Sequence, residues 1–430
     1  MISILADSLK KNYSDFEIWQ ERRITKSFEQ TAIGVVIDQV SKTETAVRVF
    51  SDGRVGFAFL SGEQLDTNRL TETLNFSLQN SFKDSDNLLP ELTVEKRSFG
   101  SFKDDIAKAS VLDIFGLMRE ESSKMKHIKQ IERLFLSDEK IEVTLFNSKN
   151  GFLEQKLNKV SLGSVIILEK DGEEKVEWDF SIDEKLEHLD GKKVLDTAYN
   201  RALKILNSSP TYTGKYPILL ENRAATEFLE VLVKSFLAEN VFKKRSIITE
   251  GVCFSNLLNI AEEPLLSCGS RSFYFDGEGY TAYNKDVVKN GEVKELLYDS
   301  LYGRKFGKKS SANAVRTRVS SPPQNGYSNI YIKSGNCNMS EVVKNSGTVI
   351  CITSLIGMHL VNPVSGEVSV GFEGYLLQNG EYKKALSNMI LAGNLKQLFQ
   401  NIIAVGDDLS FYGSVGSPSI LVEGMSVTGI

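Results

Sequence analysis

Ala46-Val47-Arg48-Val49-Phe50-Ser51-Asp52-Gly53-Arg54-Val55-Gly56-Phe57-Ala58 is the stretch on which the fold turns. Val47 and Val49 before Asp52-Gly53, and Val55, Phe57 and Phe59 after it, alternate as half-buried strand residues do. Asp-Gly supplies the positive φ angles of a tight turn, so the segment reads as an antiparallel hairpin. Phe16 and Ile18 continue the alternation upstream as an earlier strand.

Helical spacing surrounds this hairpin. Ile2, Leu5 and Leu9 share a face over 1–11. Asp66 or Thr67 caps a helix carrying Leu70, Leu74 and Leu78. A further helix is predicted over 105–126, with Ile106, Ala109, Phe115 and Met118 near one face. From 131 to 182 the pattern returns to strands, joined at Asn150-Gly151 and Asp171-Gly172, which reads as an antiparallel meander. A helix over 190–207 aligns Val194, Ala198, Ala202 and Ile205.

Ser208-Ser209-Pro210-Thr211-Tyr212-Thr213-Gly214 breaks that helix and marks a domain boundary. The second half opens with an apolar strand at 217–220 and an amphipathic helix over 222–239. Glycine-punctuated strands follow, with hairpin signals at Asn290-Gly291 and Asn379-Gly380, a loop at Ser320-Ser321-Pro322-Pro323 and a short helix over 394–403. The reading is an α+β protein. An N-terminal two-layer domain of helices on an antiparallel sheet (1–209) precedes a mainly β C-terminal domain (210–430).

The 430 residues include 41% hydrophobic and 25% charged residues, ordinary for a globular chain too long for one core. A net charge of −5 gives no basic field for nucleic acid. Runs such as Lys243-Lys244-Arg245 and Lys308-Lys309 are short solvated stretches. Cys253, Cys268, Cys337 and Cys351 show no C-x-x-C spacing. No leader pattern opens the chain, and no run approaches the roughly 20 apolar residues of a membrane span. A cytoplasmic protein with reduced thiols and no membrane partner is the expectation.

Five ordered segments resemble the TldD/TldE (PmbA) peptidase family, also known as the modulator-of-DNA-gyrase family. They are the hairpin quoted above; Phe275-Asp276-Gly277-Glu278-Gly279 with Val288-Lys289-Asn290-Gly291-Glu292-Val293; Gly357-Met358-His359-Leu360-Val361-Asn362-Pro363-Val364-Ser365-Gly366-Glu367-Val368-Ser369, close to the TldE branch; Phe372-Glu373-Gly374-Tyr375-Leu376; and Val405-Gly406-Asp407-Asp408. The resemblance implies a two-domain fold and a cytosolic heterodimer that cleaves unfolded peptides. In that pair the TldD-type subunit carries zinc on a helix bearing His-Glu-x-x-x-His, with a C-terminal Cys as third ligand. Two imidazoles and a thiolate hold the ion and leave a position for water, whose pKa the metal lowers so that the Glu can take its proton.

Aligned on the strand and the helix that follows, that motif falls on Glu221-Asn222-Arg223-Ala224-Ala225-Thr226. Glu221 and Thr226 stand at the histidine positions, Asn222 replaces the general base, and Ser417 stands near the Cys. The resemblance therefore implies no catalytic residue and no metal in this chain, with zinc held by a TldD-type partner.

Other candidates have two readings each. Glu227 and Glu230 are spaced to meet on one helix face, as metal ligands or as a polar face with Arg223 and Lys234, Glu230 pairing with Lys234. The opposite face, Ala225, Phe228, Leu232 and Phe236, packs inward. Asp276 and Glu278 flank Gly277, presenting carboxylates to a ligand or stabilising an Asx-type turn. His359 is a lone base or a structural histidine, and Asp407-Asp408 is a metal-binding pair or, the favoured reading, a turn cap. No G-x-S-x-G elbow and no phosphate-binding glycine loop is present.

The resulting expectation is a non-catalytic subunit that docks on a TldD-type chain and shapes the cavity for unfolded peptide, held by strand addition. Asp276, Glu278, Gly279, His359, Asn362, Gly366 and Glu373 are the expected cavity or partner contacts. The alternatives are an autonomous, homodimeric peptidase with an unfamiliar site, edge strands of the β-rich half pairing two copies, or a regulatory factor binding a folded partner such as gyrase.

Overall fold

The protein is described by a computed structural model over residues 2–62, 66–92, 97–248 and 253–429. The quoted hairpin is formed by β2 (Val35–Ser51) and β3 (Arg54–Ser61), with Ser51 opposite Arg54 and φ angles of 49° at Asp52 and 73° at Gly53. β1 (Asp15–Gln30) pairs with β2 and with β5 (Ile128–Asn147), and β6 (Gly151–Lys170) follows β5. β6 in turn pairs with β7 (Glu173–Asp183) and, in parallel, with the short β4 (Ser98–Phe99). The meander turns fall at Asn150-Gly151 and Asp171-Gly172 as the sequence predicts.

Four helices cover one face of this sheet. α1 (Ile2–Leu9) and α2 (Thr67–Asn80) bury Leu5, Leu9, Leu70 and Leu74 against Ile18, Val47 and Val49. Asp66 caps α2 by accepting the Arg69 N–H. α3 (Lys108–Ser123) and α4 (Gly191–Ile205) bury Phe115, Met118, Val194 and Ala198 against Leu134, Leu136, Leu162 and Ile166. Because strand side chains alternate, Glu17, Trp19, Ala46 and Arg48 point to the opposite face. That face is covered by the C-terminal domain, whose Phe275 and Val319 pack against Trp19, Ala46, Val143, Leu145 and Leu153.

The C-terminal domain is mostly sheet. β8 (Gly214–Leu220) lies between β15 (Thr348–Ile356), parallel, and β21 (Ile420–Gly429), antiparallel. β16 (Glu367–Gln378) and β17 (Glu381–Asn394) extend from β15, and β17 returns to pair with the second half of β21. Five strands thus close into a ring, with β18 (Ile402–Val405) on the first half of β21. Closure removes the open edges of the ring strands.

A second sheet runs β11 (Glu292–Val293), β10 (Lys285–Lys289), β9 (Ile260–Glu262), β14 (Ile330–Ile332), β20 (Val415–Ser417) and β19 (Ser410–Tyr412). β12 (Ala314–Val315) and β13 (Gln324–Asn325) form a separate ribbon. α5 (Asn222–Val233) packs against members of both six-stranded sheets, with Ala224, Ala225, Phe228, Leu229 and Leu232 fully buried.

α5 is shorter than the predicted 222–239. A 3-10 turn, Lys234–Phe236, and a separate helix, Ala238–Phe242, follow it. Among the described residues the expected Glu230–Lys234 ion pair is not formed; the helix pairs Arg223 with Glu227 instead, at 3.8 Å. The predicted inward face holds, since Ala225, Phe228, Leu232 and Phe236 are all buried. The late helix is likewise shorter than predicted, Leu395–Gln400, and Ile402 opens β18.

Candidate functional site

The N-terminus of α5 brings Glu221, Asn222 and Ser417 together. β8 delivers Glu221, whose N–H donates to the Ile352 carbonyl, and Glu221 is the residue that precedes the first helical turn. Its carboxylate makes no capping bond. It turns away to accept the Tyr375 hydroxyl at 2.7 Å and the Lys204 ammonium at 2.8 Å. Lys204, on α4, also lies 5.0 Å from the centre of the Tyr375 ring. Burial and the Glu221 charge raise the Tyr375 phenol far above its ordinary range, so it remains a donor. Cys351 is fully buried beside this group, and burial likewise pushes its thiol up, leaving it protonated and unreactive.

The Asn222 amide donates to the Ser417 carbonyl at 3.2 Å and to the Asp408 carbonyl, tying the helix start to β20 and the loop before β19. The fully buried Ser417 hydroxyl donates to the Pro418 carbonyl at 2.7 Å, and the buried Thr226 hydroxyl has no hydrogen-bond partner among the described residues. The Asp408 carboxylate accepts the Ser419 N–H and hydroxyl, holding a turn.

A polar seam continues to the N-terminal sheet. Arg223 stacks 4.3 Å from the Trp178 ring centre and donates to Glu177 at 3.0 Å. Arg201 donates to the Tyr412 hydroxyl at 2.7 Å and the Trp178 carbonyl at 3.0 Å. Burial pushes Asp179 up to about 6, and the nearby Arg201 opposes that shift. Glu227 is pushed up to about 7 by burial, opposed by Arg223 and reinforced by Glu230.

The acidic-glycine loop lies at the domain interface, with both acids committed to it. Asp276 is buried, and its oxygens accept the N–H groups of Glu278, Tyr280 and Ala314 at 3.0, 2.9 and 3.0 Å, an Asx-type turn. Glu278 accepts Arg48 at 3.2 Å and the Ser300 N–H at 3.0 Å. Arg48 reaches Glu17 through two bonds of 2.7 and 2.9 Å, and Arg316 donates to the same Glu17. Gly279 has φ +89°, and a Cβ there would lie 2.3 Å from Leu92 and 2.8 Å from Leu145. Only glycine lets the loop seat on the N-terminal sheet.

The remaining expected contacts are spread over the C-terminal domain. His359 is exposed on a 3-10 turn, Met358–Leu360. Asn362 folds back on its own loop, accepting the Val364 and Ser365 N–H groups at 2.8 and 3.1 Å, and Gly366 (φ +76°) ends that turn. Glu373 pairs with Lys175 of the N-terminal domain at 2.7 Å.

The residues that organise the site and were not singled out in the sequence are Lys204, Tyr375, Glu177, Arg201, Tyr412, Glu17, Arg48 and Arg316. Their partners lie far away in the chain, so no local spacing marks them.

Zinc does not fit this donor set. The four positions supply no imidazole and no thiolate, and the carboxylate at the first position is already neutralised by a lysine. Among the described residues no group of three His, Cys, Asp or Glu side chains is placed to hold a metal. The fold is thus an antiparallel sheet under helices joined to a mostly β domain, and the positions where the family resemblance puts zinc ligands carry other chemistry.

Residues 213–429 match the model of the PmbA/TldA metallopeptidase C-terminal domain, half of the chain, so the chain belongs to the PmbA/TldD metallopeptidase family. It is similar to Metalloprotease PmbA of Escherichia coli O157:H7, 27% identical over 292 residues, which is 67% of this chain and 62% of that one. The chain thus spans less than two thirds of the length of this relative. TldE from Thermococcus kodakarensis superposes with a TM-score of 0.84 at 18% identity over 100% of both chains. A Thermotoga maritima protein carrying the gyrase-modulator name superposes with a TM-score of 0.87 at 22% identity over 99% of both. At these identities the two structures show a shared fold.

Proposed function

We propose that this chain is the non-catalytic subunit of a cytoplasmic, two-chain zinc metallopeptidase that acts on unfolded peptides. It docks on a TldD-type chain that holds the zinc and completes the walls of the cavity around it. The observation that supports this reading is the Glu221–Lys204–Tyr375 cluster. A family fold is retained over the whole chain, while the first ligand position carries a lysine-neutralised carboxylate and the base position an amide spent on two backbone carbonyls. Neither group can activate a water molecule in the family's manner.

The His359 turn is a candidate surface for the partner or for peptide, since it places Ile356, His359, Leu360 and Val364 at the surface within one short segment. The pure chain, and the chain mixed with a TldD-type chain, are to be assayed for zinc content and for hydrolysis of a flexible peptide. The expected result is a metal-free, inactive chain that forms a complex at micromolar concentration and raises the partner's activity. Chelator-sensitive hydrolysis by the chain alone, or the absence of any complex, would overturn the proposal.

A further inference from the structure

A groove of about 290 Å³ opens where the two domains meet, beside the acidic-glycine loop. Half-buried Ile141 and Leu157 of the N-terminal sheet line it beside Trp19, together with Phe273, Gly277 and Val315 of the C-terminal domain, while Phe275 is fully buried against Trp19. Its volume falls at the small end of ligand pockets, which begin near roughly 300 Å³.

Four positive groups are among its lining residues, and two of them, Arg316 and Arg271, have donors to spare. The Arg316 side chain is only 3% exposed, and two of its nitrogens are fixed: Nε donates to the Gly277 carbonyl at 3.0 Å and Nη2 to Glu17. The third, Nη1, has no hydrogen-bond partner among the described residues, and neither has the Nε1–H of Trp19, whose ring lies 4.7 Å from the Arg316 guanidinium carbon. Both groups are donors only, so an oxygen acceptor entering the groove would satisfy them. An unpaired buried donor carries a desolvation penalty that an incoming oxygen relieves. The second cation, Arg271, is exposed, stacks 5.0 Å from the centre of the Tyr327 ring and forms no ion pair among the described residues. The other cations of the lining, Arg23 and Lys159, are already paired with Glu21 and Glu139.

We propose that this groove is a carboxylate pocket that takes the C-terminal residue of a peptide, its apolar side chain against Ile141 and Leu157 and its carboxylate toward Arg316 and Arg271. An apolar wall facing unpaired guanidinium donors matches a residue that carries both features. The assignment rests on the peptide reading above only for the source of the carboxylate.

Trp19 is one of two tryptophans, so a Trp178→Phe variant leaves it as the sole tryptophan reporter. The full-length variant is to be titrated with N-acetyl-leucine, N-acetyl-leucinamide and the α-amide of N-acetylglutamate. The expected result is saturable binding of N-acetyl-leucine, with the leucinamide weaker by about tenfold or more. Arg271→Ala, on the surface, then weakens the acid by about tenfold and leaves the amide unchanged. Arg316→Gln, checked for native circular dichroism, removes the preference for the acid altogether. Tighter binding of the glutamate derivative supports a carboxylate pocket and moves the source to an acidic side chain. Equal binding of acid and amide, or no saturable response from any probe, overturns the proposal. The titration needs no partner chain, so failure of the subunit reading leaves its result standing.

Discussion

The Lys204 ammonium lies 2.8 Å from the Glu221 carboxylate, at the first of the positions where the family resemblance puts a zinc ligand. A fixed positive charge there repels a second cation. Restoring the family donors with Glu221→His, Asn222→Glu, Thr226→His and Ser417→Cys therefore addresses half of the obstacle. Adding Lys204→Ala to those four changes is expected to tighten zinc binding by about tenfold, measured by competition with a chromogenic chelator. Equal affinity with and without Lys204 would show that the lysine does not guard the position.

Arg48 joins the two domains through Glu17 and Glu278, and all three side chains are less than a tenth exposed. Removing one partner strands buried charge. Arg48→Met is expected to cost about 3–5 kcal/mol in urea unfolding. Lys83→Met, which breaks the exposed pair with Asp52, should leave the urea midpoint close to that of the parent.

Asp299 caps the short helix Ser300–Lys305 by accepting the Tyr302 N–H, and burial together with the neighbouring Glu278 pushes its carboxyl up from 3.8 to about 7. An acid whose folded pKa lies above its unfolded value holds its proton more tightly when folded. Its stabilising contribution is complete below the unfolded value and disappears as pH rises through the folded one. Asp276, Asp179 and Glu227 shift in the same direction, to about 7, 6 and 7. Stability should fall between about pH 4 and pH 7, followed by urea midpoints, and Asp299→Asn should flatten the slope. A profile that rises across this window would count against these shifts.

Gly279 and Gly172 both have positive φ, +89° and +85°, but only Gly279 has no room for a side chain. Gly172→Ala carries backbone strain alone and is expected to cost about 1 kcal/mol. Gly279→Ala adds a clash with Leu92 and Leu145 and should cost several times more, read by thermal unfolding.

Much of the fold is written locally. The turns at Asp52-Gly53, Asn150-Gly151, Asp171-Gly172, Asn290-Gly291 and Asn379-Gly380 all place glycine at positive φ, which is why those dipeptides can be read without a partner. Helix ends are less readable. α5 stops at Val233 because the following residues tighten into a 3-10 turn, although the apolar spacing continues to Phe236. The acidic loop shows the clearest limit. Asp276 and Glu278 look alike in sequence, yet one closes a local turn and the other meets Arg48 across 230 residues. Arg48 itself sits in an ordinary strand alternation, and nothing in that pattern tells a solvent face from one covered by a second domain. The degenerate ligand positions are visible as residue types, while Lys204, which neutralises one of them, is unremarkable on its helix.

The closed ring of the C-terminal domain also imposes an order in time. β8 is made before either of its neighbours, with Ile218 matched to Ile350 and Leu219 to Leu421. As the chain leaves the ribosome, β8 and the apolar face of α5 wait, uncovered, for more than a hundred residues of further synthesis. Pairings so distant in the chain make for slow folding and a long interval of exposure. Until β21 arrives, the nascent domain therefore exposes the apolar surface that the finished ring covers.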